Sequence, residues 1–424
     1  MSDKIKELCN NKPAAIFGKG VSALCAKGLF DSLGIESVLY SENAADNCPV
    51  FDENAAKKHS LVVYSPAFRP DHKWLKLAKQ NNAELICEPD LASLAWQGNI
   101  IAISGTNGKT TTTAFLAKAL NEAGINAVAA GNIGIPLSKF CVEKNGGKNC
   151  TAVCELSSFQ LMGVKYMSPI AYVWTNFDQD HLDWHTDMRE YFDAKFALVK
   201  MLKKPVFIVG QSVADYAKKY GVALPDFTEI VQRQNNCPKP FDNNIQCENY
   251  CLAKALFKKL NISEEILQKA AQTFSLAKYR FATSGTINGI TFINDSKGTN
   301  AHSTIAAINA LKGKPVIWIG GGKNKKCDLT DLANAVAENC KCAFLIGQSA
   351  SLLEPLLNER HCNTKTCATL KEAVCGAYTA AKSGYYVLFS PAFSSFGMFD
   401  GYAHRGKCFD EELLGLKIAQ KGQV

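Results

Sequence analysis

Gly105-Thr106-Asn107-Gly108-Lys109-Thr110-Thr111 lies between the apolar run Ile100-Ile101-Ala102-Ile103 and a helix-like run from Thr112 to Ala123. Read as strand, glycine-rich turn and helix, it aims several backbone N–H groups and a helix N-terminus at one point, which suits a phosphate. In that geometry Lys109 reaches the β and γ phosphates and the Thr110 hydroxyl ligates Mg²⁺. The strict phosphate-loop pattern needs a glycine where this chain has Ile103. The loop is a shortened variant.

Outward from the loop, short apolar runs alternate with amphipathic ones, which predicts an α/β fold with mainly parallel sheets. Residues 1–94 hold strand candidates Ala14-Ala-Ile-Phe17, Ser37-Val-Leu-Tyr40 and Leu61-Val-Val-Tyr64. Residues 95–278 hold the loop strand, Ala152-Val-Cys-Glu155, Ala171-Tyr-Val-Trp174 and Val206-Phe-Ile-Val209. Residues 279–424 hold a hairpin around Asn288-Gly289, then Val316–Ile319, Ala343–Ile346 and Tyr386–Phe389. Three α/β domains with those boundaries are expected, in keeping with the 424-residue length.

Hydrophobic residues make up 47% and charged residues 20% of the chain, an ordinary globular balance. No apolar run approaches the ~18 residues of a membrane span, and Met1-Ser-Asp-Lys-Ile-Lys-Glu7 lacks a signal-peptide core. A cytoplasmic protein with no membrane insertion is expected. The net charge of +8 comes without a dense basic face, which argues for a phosphorylated or carboxylated small substrate and against nucleic acid. The 17 cysteines include no C-x-x-C pair, the tightest spacings being Cys150/Cys154, Cys247/Cys251 and Cys340/Cys342. They read as small buried hydrophobes rather than disulfides or zinc ligands.

Several segments carry chemistry. Gly18-Lys-Gly20-Val-Ser-Ala23 matches G-x-G-x-x-A after a strand, with Glu42 near the position of a ribose-binding acid. A nicotinamide dehydrogenase, an unliganded turn and another diphosphate ligand such as a nucleotide sugar all fit it. Glu155 ends a strand after the phosphate loop, where an acid can hold Mg²⁺; a solvated strand-end acid is the alternative. Asn176-Phe-Asp178-Gln-Asp180-His181-Leu-Asp183-Trp-His185 gathers oxygen and imidazole ligands suited to Mg²⁺ or Mn²⁺, or is a solvated acidic loop. Lys195, on a helix among apolar residues, reads by spacing alone as a snorkelling surface lysine. Asn294-Asp-Ser-Lys-Gly-Thr-Asn300 and Ser390-Pro-Ala-Phe-Ser394-Ser395, with Tyr402-Ala-His-Arg405, present donors suited to a carboxylate or phosphate.

Taken in order, these segments resemble the Mur ligase superfamily of ATP-dependent amide-bond-forming enzymes. Gly131-Asn132-Ile-Gly134-Ile-Pro136, Glu155-Leu-Ser-Ser-Phe-Gln-Leu161, Asp180-His181-Leu-Asp183, Ala194-Lys195, Tyr279-Arg280-Phe281 and Gly320-Gly-Gly with Lys325-Lys-Cys-Asp328 complete the series. The resemblance implies a Rossmann-like N-terminal domain for a UDP-substrate, a central P-loop ATPase-like domain and a Rossmann-like C-terminal domain for an amino acid. It implies a monomer with ATP and two Mg²⁺, acting on UDP-N-acetylmuramoyl-L-alanine and D-glutamate. ATP contacts fall on Gly105, Thr106, Asn107, Gly108, Lys109, Thr110, Thr111, Asn249 and Arg280, with Asp295 toward the ribose. Metal ligands fall on Thr110 and Glu155, and on His181 with a carbamylated Lys195; Lys109, His181 and Lys195 become the catalytic residues. An ammonium beside Mg²⁺ is repelled, whereas a carbamate is anionic and ligates it. Ser22 and Asn132 would face the UDP-muramoyl substrate, and Lys297, Thr299, Lys325, Ser395 and Tyr402 the incoming amino acid, with Lys323 the alternative to Lys325.

The pattern departs at three places: Glu248-Asn249-Tyr-Cys-Leu252 lacks a second amide near the adenine, the last-loop aromatic is Tyr402, and Tyr40-Ser41 replaces an acid. The rival readings are another Mur ligase or a folylpolyglutamate synthase. From other classes come a dehydrogenase, which leaves the Gly105 loop unexplained, and a nucleotide-binding regulator that releases no phosphate.

Overall fold

A computed structural model describes residues 2–66, 68–182, 184–234, 236–243, 246–323 and 328–421. The first sheet holds β1 (Ala14–Phe17), β2 (Ser37–Tyr40), β3 (Leu61–Tyr64) and β4 (Glu84–Cys87), all parallel, in the order β2-β1-β3-β4. The second holds β5 (Asn99–Ser104), β6 (Ala127–Gly131), β7 (Thr151–Glu155), β8 (Ala171–Trp174), β9 (Phe207–Gly210) and β10 (Thr228–Val231). Its order is β10-β9-β8-β5-β7-β6, again all parallel. The third holds β11 (Ala282–Ile287), β12 (Ile290–Asn294), β13 (Val316–Gly321), β14 (Cys340–Ile346), β15 (Thr364–Cys367) and β16 (Tyr386–Phe389). Its order is β11-β12-β16-β13-β14-β15, with β11 antiparallel to β12 around the Asn288-Gly289 turn. The α/β class with mainly parallel sheets is what the sequence led us to expect.

The first two sheets belong to one compact unit (residues 1–177, 186–242 and 246–274) and the third to another (178–185, 243–245 and 275–424). Central strands are apolar on both faces because helices cover both. In β5, Ile100 and Ala102 enter one core while Ile101 and Ile103 enter the opposite one. In β13, Trp318 and Ile319 divide in the same way.

Within the first unit, a buried carboxylate ties the Glu88–Ala95 helix to the chain after β7. Asp90 accepts backbone N–H groups of Lys165, Tyr166 and Met167 at 2.9, 2.8 and 2.8 Å. Burial pushes its pKa up to about 6 against the pull of those three donors. Glu88 does similar work two residues earlier, accepting the Ser138 N–H at 2.8 Å.

Candidate active site

β5 ends at Ser104, and the helix Lys109–Glu122 begins after the turn Gly105–Gly108. Two of those turn residues need to be glycine. Gly105 has φ +146° and lies against Thr175 and Asn176, and Gly108 has φ +80° and lies against the Asn249 amide, so a Cβ at either position would collide. Asn176 shapes the turn from the end of β8: its carbonyl accepts Thr106 N–H at 3.0 Å and its Oδ1 accepts Asn107 N–H at 2.8 Å. The turn leads straight into a helix N-terminus, where the positive end of the helix dipole favours an anion.

Lys109 curls back over this turn, donating to the carbonyls of Gly105 at 2.9 Å and Thr106 at 2.8 Å. Lys195, on the helix Met188–Phe196, is only 1% exposed. Its Nζ donates to Ser104 Oγ and to the Gly105 carbonyl, both at 3.1 Å, and lies over the Tyr191 ring at 4.9 Å. The surface-lysine reading of Lys195 is therefore wrong: packing against Tyr191 and the end of β5 draws it inside.

Glu155 ends β7, and its register partner in β5 is Ile103, so its carboxylate stands one strand from the turn. Its Oε1 accepts from Asn132 Nδ2 at 3.3 Å, while Oε2 is buried with no hydrogen-bond partner. A buried carboxylate oxygen without a donor is costly, and a hard cation is a partner that suits it. Thr110, in the first turn of the Lys109–Glu122 helix, carries a hydroxyl, another hard oxygen of the kind Mg²⁺ takes. Asn249, in the first turn of the helix Cys247–Lys259, accepts from Thr112 Oγ1 at 3.2 Å and donates to Gln246 at 2.9 Å. Its neighbour Glu248 is pushed up to about pKa 7, chiefly by burial, with Arg233 pulling the other way. Ser22 is half-buried in the first turn of the helix Val21–Ser32, which follows β1 through Gly18–Gly20.

His181 lies in the second unit, with a left-handed backbone (φ +58°). Asp180 accepts its N–H at 2.9 Å and places the other carboxylate oxygen 3.6 Å from its ring Nε2. Asn300 steadies that oxygen at 2.9 Å while capping the Ala301–Asn309 helix through Ser303 N–H. Asp178, His302 and Asp328 line the same small cavity.

Of the described residues expected around an amino acid, Lys297 and Thr299 follow β12, Ser395 follows β16 and Tyr402 begins the helix Tyr402–Lys421. Lys297 Nζ lies 3.8 Å from the Tyr402 ring centroid, so two of them meet directly. Thr299 is half-buried nearby in sequence, and Ser395 is buried at 4% exposure. Lys323 pairs by its backbone with Ser394, whereas Lys325 and Asp183 lie outside the described residues. Arg280 is flanked by Tyr279 and Phe281, both at positive φ, the kind of local strain that clusters at functional sites. Asp295 accepts Phe281 N–H at 3.0 Å and Ser390 Oγ–H at 2.7 Å. Burial lifts it to about pKa 7 against those donors and the charges of Arg280 and Arg405. Arg405 is fully buried and donates to Ser296 and the Phe393 carbonyl, an internal brace for both donor loops.

Sequence reasoning assigned no role to Ser104, Thr175 or Tyr191, which hold Lys195 and the turn; their signal was only their position at strand ends or one helical turn from a lysine. It also misread one cysteine group. Cys237 and Cys247 are joined as a disulfide, with the Cys251 sulfur 3.8 Å from that of Cys237.

Residues 103–230 match the Mur ligase middle domain and residues 279–393 the Mur ligase, glutamate ligase domain. The chain is 30% identical to the UDP-N-acetylmuramoylalanine–D-glutamate ligase of Thermoanaerobacter pseudethanolicus, over 96% of this chain and 99% of that one. Among solved structures it is similar to the UDP-N-acetylmuramate-alanine ligase of Thermotoga maritima, with a TM-score of 0.61 and 15% identity over 96% of this chain and all of that one. The MurF ligase of Thermotoga maritima, solved in complex with ADP, gives a TM-score of 0.57 and 15% identity over 86% of this chain and 97% of that one.

Proposed function

Because the chain belongs to the Mur ligase family, among relatives named UDP-N-acetylmuramoylalanine–D-glutamate ligase, we propose that it joins D-glutamate to UDP-N-acetylmuramoyl-L-alanine with cleavage of ATP to ADP and phosphate. The observation that carries the ATP part is the convergence of Lys109, the Gly105–Gly108 turn and the partnerless Glu155 oxygen at adjoining strand ends.

A carboxylate is a poor acyl donor, so the muramoyl-alanine carboxylate first attacks the γ-phosphorus; the bond to the β,γ-bridging oxygen breaks, ADP leaves and an acyl phosphate is formed. The D-glutamate amine then attacks the acyl carbon, and phosphate departs from the tetrahedral intermediate. Lys109 moves from the Gly105 and Thr106 carbonyls to the phosphoryl oxygens, where its charge counts most in the transition state. The turn and the helix N-terminus orient the β and γ phosphates. Thr110 and Glu155 would hold one Mg²⁺, and His181 and carbamylated Lys195 a second. When bound, Mg²⁺ neutralises charge on the transferring phosphoryl. Asn249, Arg280 and Asp295 contact the nucleotide in this reading, Ser22 and Asn132 the UDP-sugar. Lys297, Thr299, Ser395, Tyr402 and Lys323 or Lys325 contact D-glutamate.

We assign domain boundaries of 1–94, 95–278 and 279–424 to the UDP-substrate, ATP and amino-acid parts. We further take the protein to be a cytoplasmic monomer that binds no nucleic acid; no described helix is long and apolar enough to cross a membrane. The role in the cell is peptidoglycan precursor synthesis, and with it cell shape and division.

The test is ADP release measured over a matrix of acids and amines. Release is expected with UDP-N-acetylmuramoyl-L-alanine plus D-glutamate. Release with a folate and L-glutamate, and none with the first pair, would overturn the assignment.

A further inference from the structure

We propose that Cys237, Cys247 and Cys251 form a thiol–disulfide exchange site, open to small hydroperoxides and thiols through an adjoining cavity, whose state sets how the nucleotide turn is held. Cys237 and Cys247 are bonded with a Cα–Cα separation of 5.7 Å, well inside the range a disulfide spans. The Cys251 sulfur lies 3.8 Å from Cys237 and 4.0 Å from Cys247. Cys247 is the first residue of the Cys247–Lys259 helix and Cys251 follows one turn later on the same face. All three belong to the first compact unit.

Access distinguishes this group from the other buried cysteines. Cys251 lines a cavity of about 630 Å³ together with Arg233, Gln234, Lys254 and Lys258. Burial raises the Cys251 thiol too, but Cys154, by contrast, is sealed in an apolar core, where burial pushes its thiol far up. The helix N-terminus also favours the thiolate at Cys247 over that of a cysteine elsewhere.

The chemistry balances with a hydroperoxide as oxidant. The Cys247 thiolate attacks the peroxide, an S–O bond forms as the O–O bond breaks, and alcohol or water leaves with the proton. Cys237 then attacks the oxidised sulfur, the S–S bond forms and a second molecule of water leaves. One hydroperoxide thus takes two electrons from two thiols. Cys251 can next attack the Cys237 sulfur, forming a new S–S bond and releasing the Cys247 thiolate, whose place at the helix N-terminus makes it the better leaving group. A small dithiol restores all three thiols and carries off the electrons as its own disulfide.

The coupling to nucleotide is local. Two residues beyond Cys247, Asn249 packs against Gly108 and accepts from Thr112. A bond at Cys247 therefore pins the turn of helix that braces the phosphate loop from outside.

The test uses the full chain, reduced and freed of reductant, titrated with hydrogen peroxide under native conditions. Peptide mapping should find the first bridge joining Cys237 to Cys247 or Cys251, with two thiols lost and recovered on adding dithiothreitol. ATP affinity, read by nucleotide titration alone, should shift by at least about fivefold on bridging. Cys237→Ser should abolish both the bridge and the shift, and Cys251→Ser should keep the bridge but slow its reduction. A first bridge among other cysteines overturns the proposal. So does an affinity shift that survives Cys237→Ser, no shift at all, or reduced protein that holds one zinc ion with these three thiols masked. Neither the mapping nor the titration needs a sugar or amino-acid substrate, so their failure is separate from failure of the ligase assignment.

Discussion

Lys109 and Lys195 donate to the same oxygen, the Gly105 carbonyl, at 2.9 and 3.1 Å, so their ammonium nitrogens stand no more than about 6 Å apart. At an effective dielectric near 20, two positive charges at that separation repel by about 3 kcal/mol. Turning Lys195 into a carbamate converts that repulsion into attraction and supplies oxygen ligands beside Ser104.

Lys195→Ala should accordingly lower turnover by about a hundredfold, with partial rescue by acetate or another short carboxylate added in excess. Initial-rate assays across a carboxylate series check it. Full activity in the variant, or a loss that no carboxylate relieves, would contradict the carbamate role.

Lys109→Ala removes the charge aimed at the phosphoryl oxygens. A fall in kcat of about 10²–10³ is expected with little change in melting temperature, because the carbonyls of Gly105 and Thr106 that it binds belong to its own turn. Turnover close to that of the unsubstituted enzyme would refute the assignment.

Three buried or half-buried carboxyls give stability a definite pH dependence. Glu248 and Asp295 are raised to about 7 and Asp90 to about 6, each mainly by burial. The folded state therefore binds protons more tightly than the unfolded chain, and stability should fall as pH rises from the ordinary carboxylate range, about 4, through 7. Glu248→Gln should flatten part of that decline, measured as melting temperature from pH 5 to 8. A decline of unchanged slope would show that Glu248 titrates normally.

Asp90→Ala leaves three backbone N–H groups without their charged acceptor and should cost about 3 kcal/mol, read from denaturant midpoints. A loss under about 1 kcal/mol would mean that water replaces the carboxylate readily.

The sequence disclosed the central strands far better than the edges. β4, β6, β10 and β15 all lie at sheet edges, and none was recognised. Two of them show a half-exposed state in their composition: Thr364-Lys-Thr-Cys367 and Thr228-Glu-Ile-Val231 are partly polar where β13 is apolar throughout. The phosphate turn was legible because its glycines, lysine and threonine are contiguous. Lys195 was not, since its burial depends on Tyr191 and Ser104, and Ser104 is distant in sequence. The cysteine trio was hidden for a similar reason: Cys237 joins the Cys247/Cys251 pair only through the fold.

The most direct measurement of the central claim follows oxygen. UDP-N-acetylmuramoyl-L-alanine labelled with ¹⁸O in its alanyl carboxylate is turned over with ATP and D-glutamate, and the released phosphate is analysed by mass spectrometry. Ligation through an acyl phosphate predicts ADP and phosphate carrying one labelled oxygen. Unlabelled phosphate, or label appearing in AMP, would contradict it.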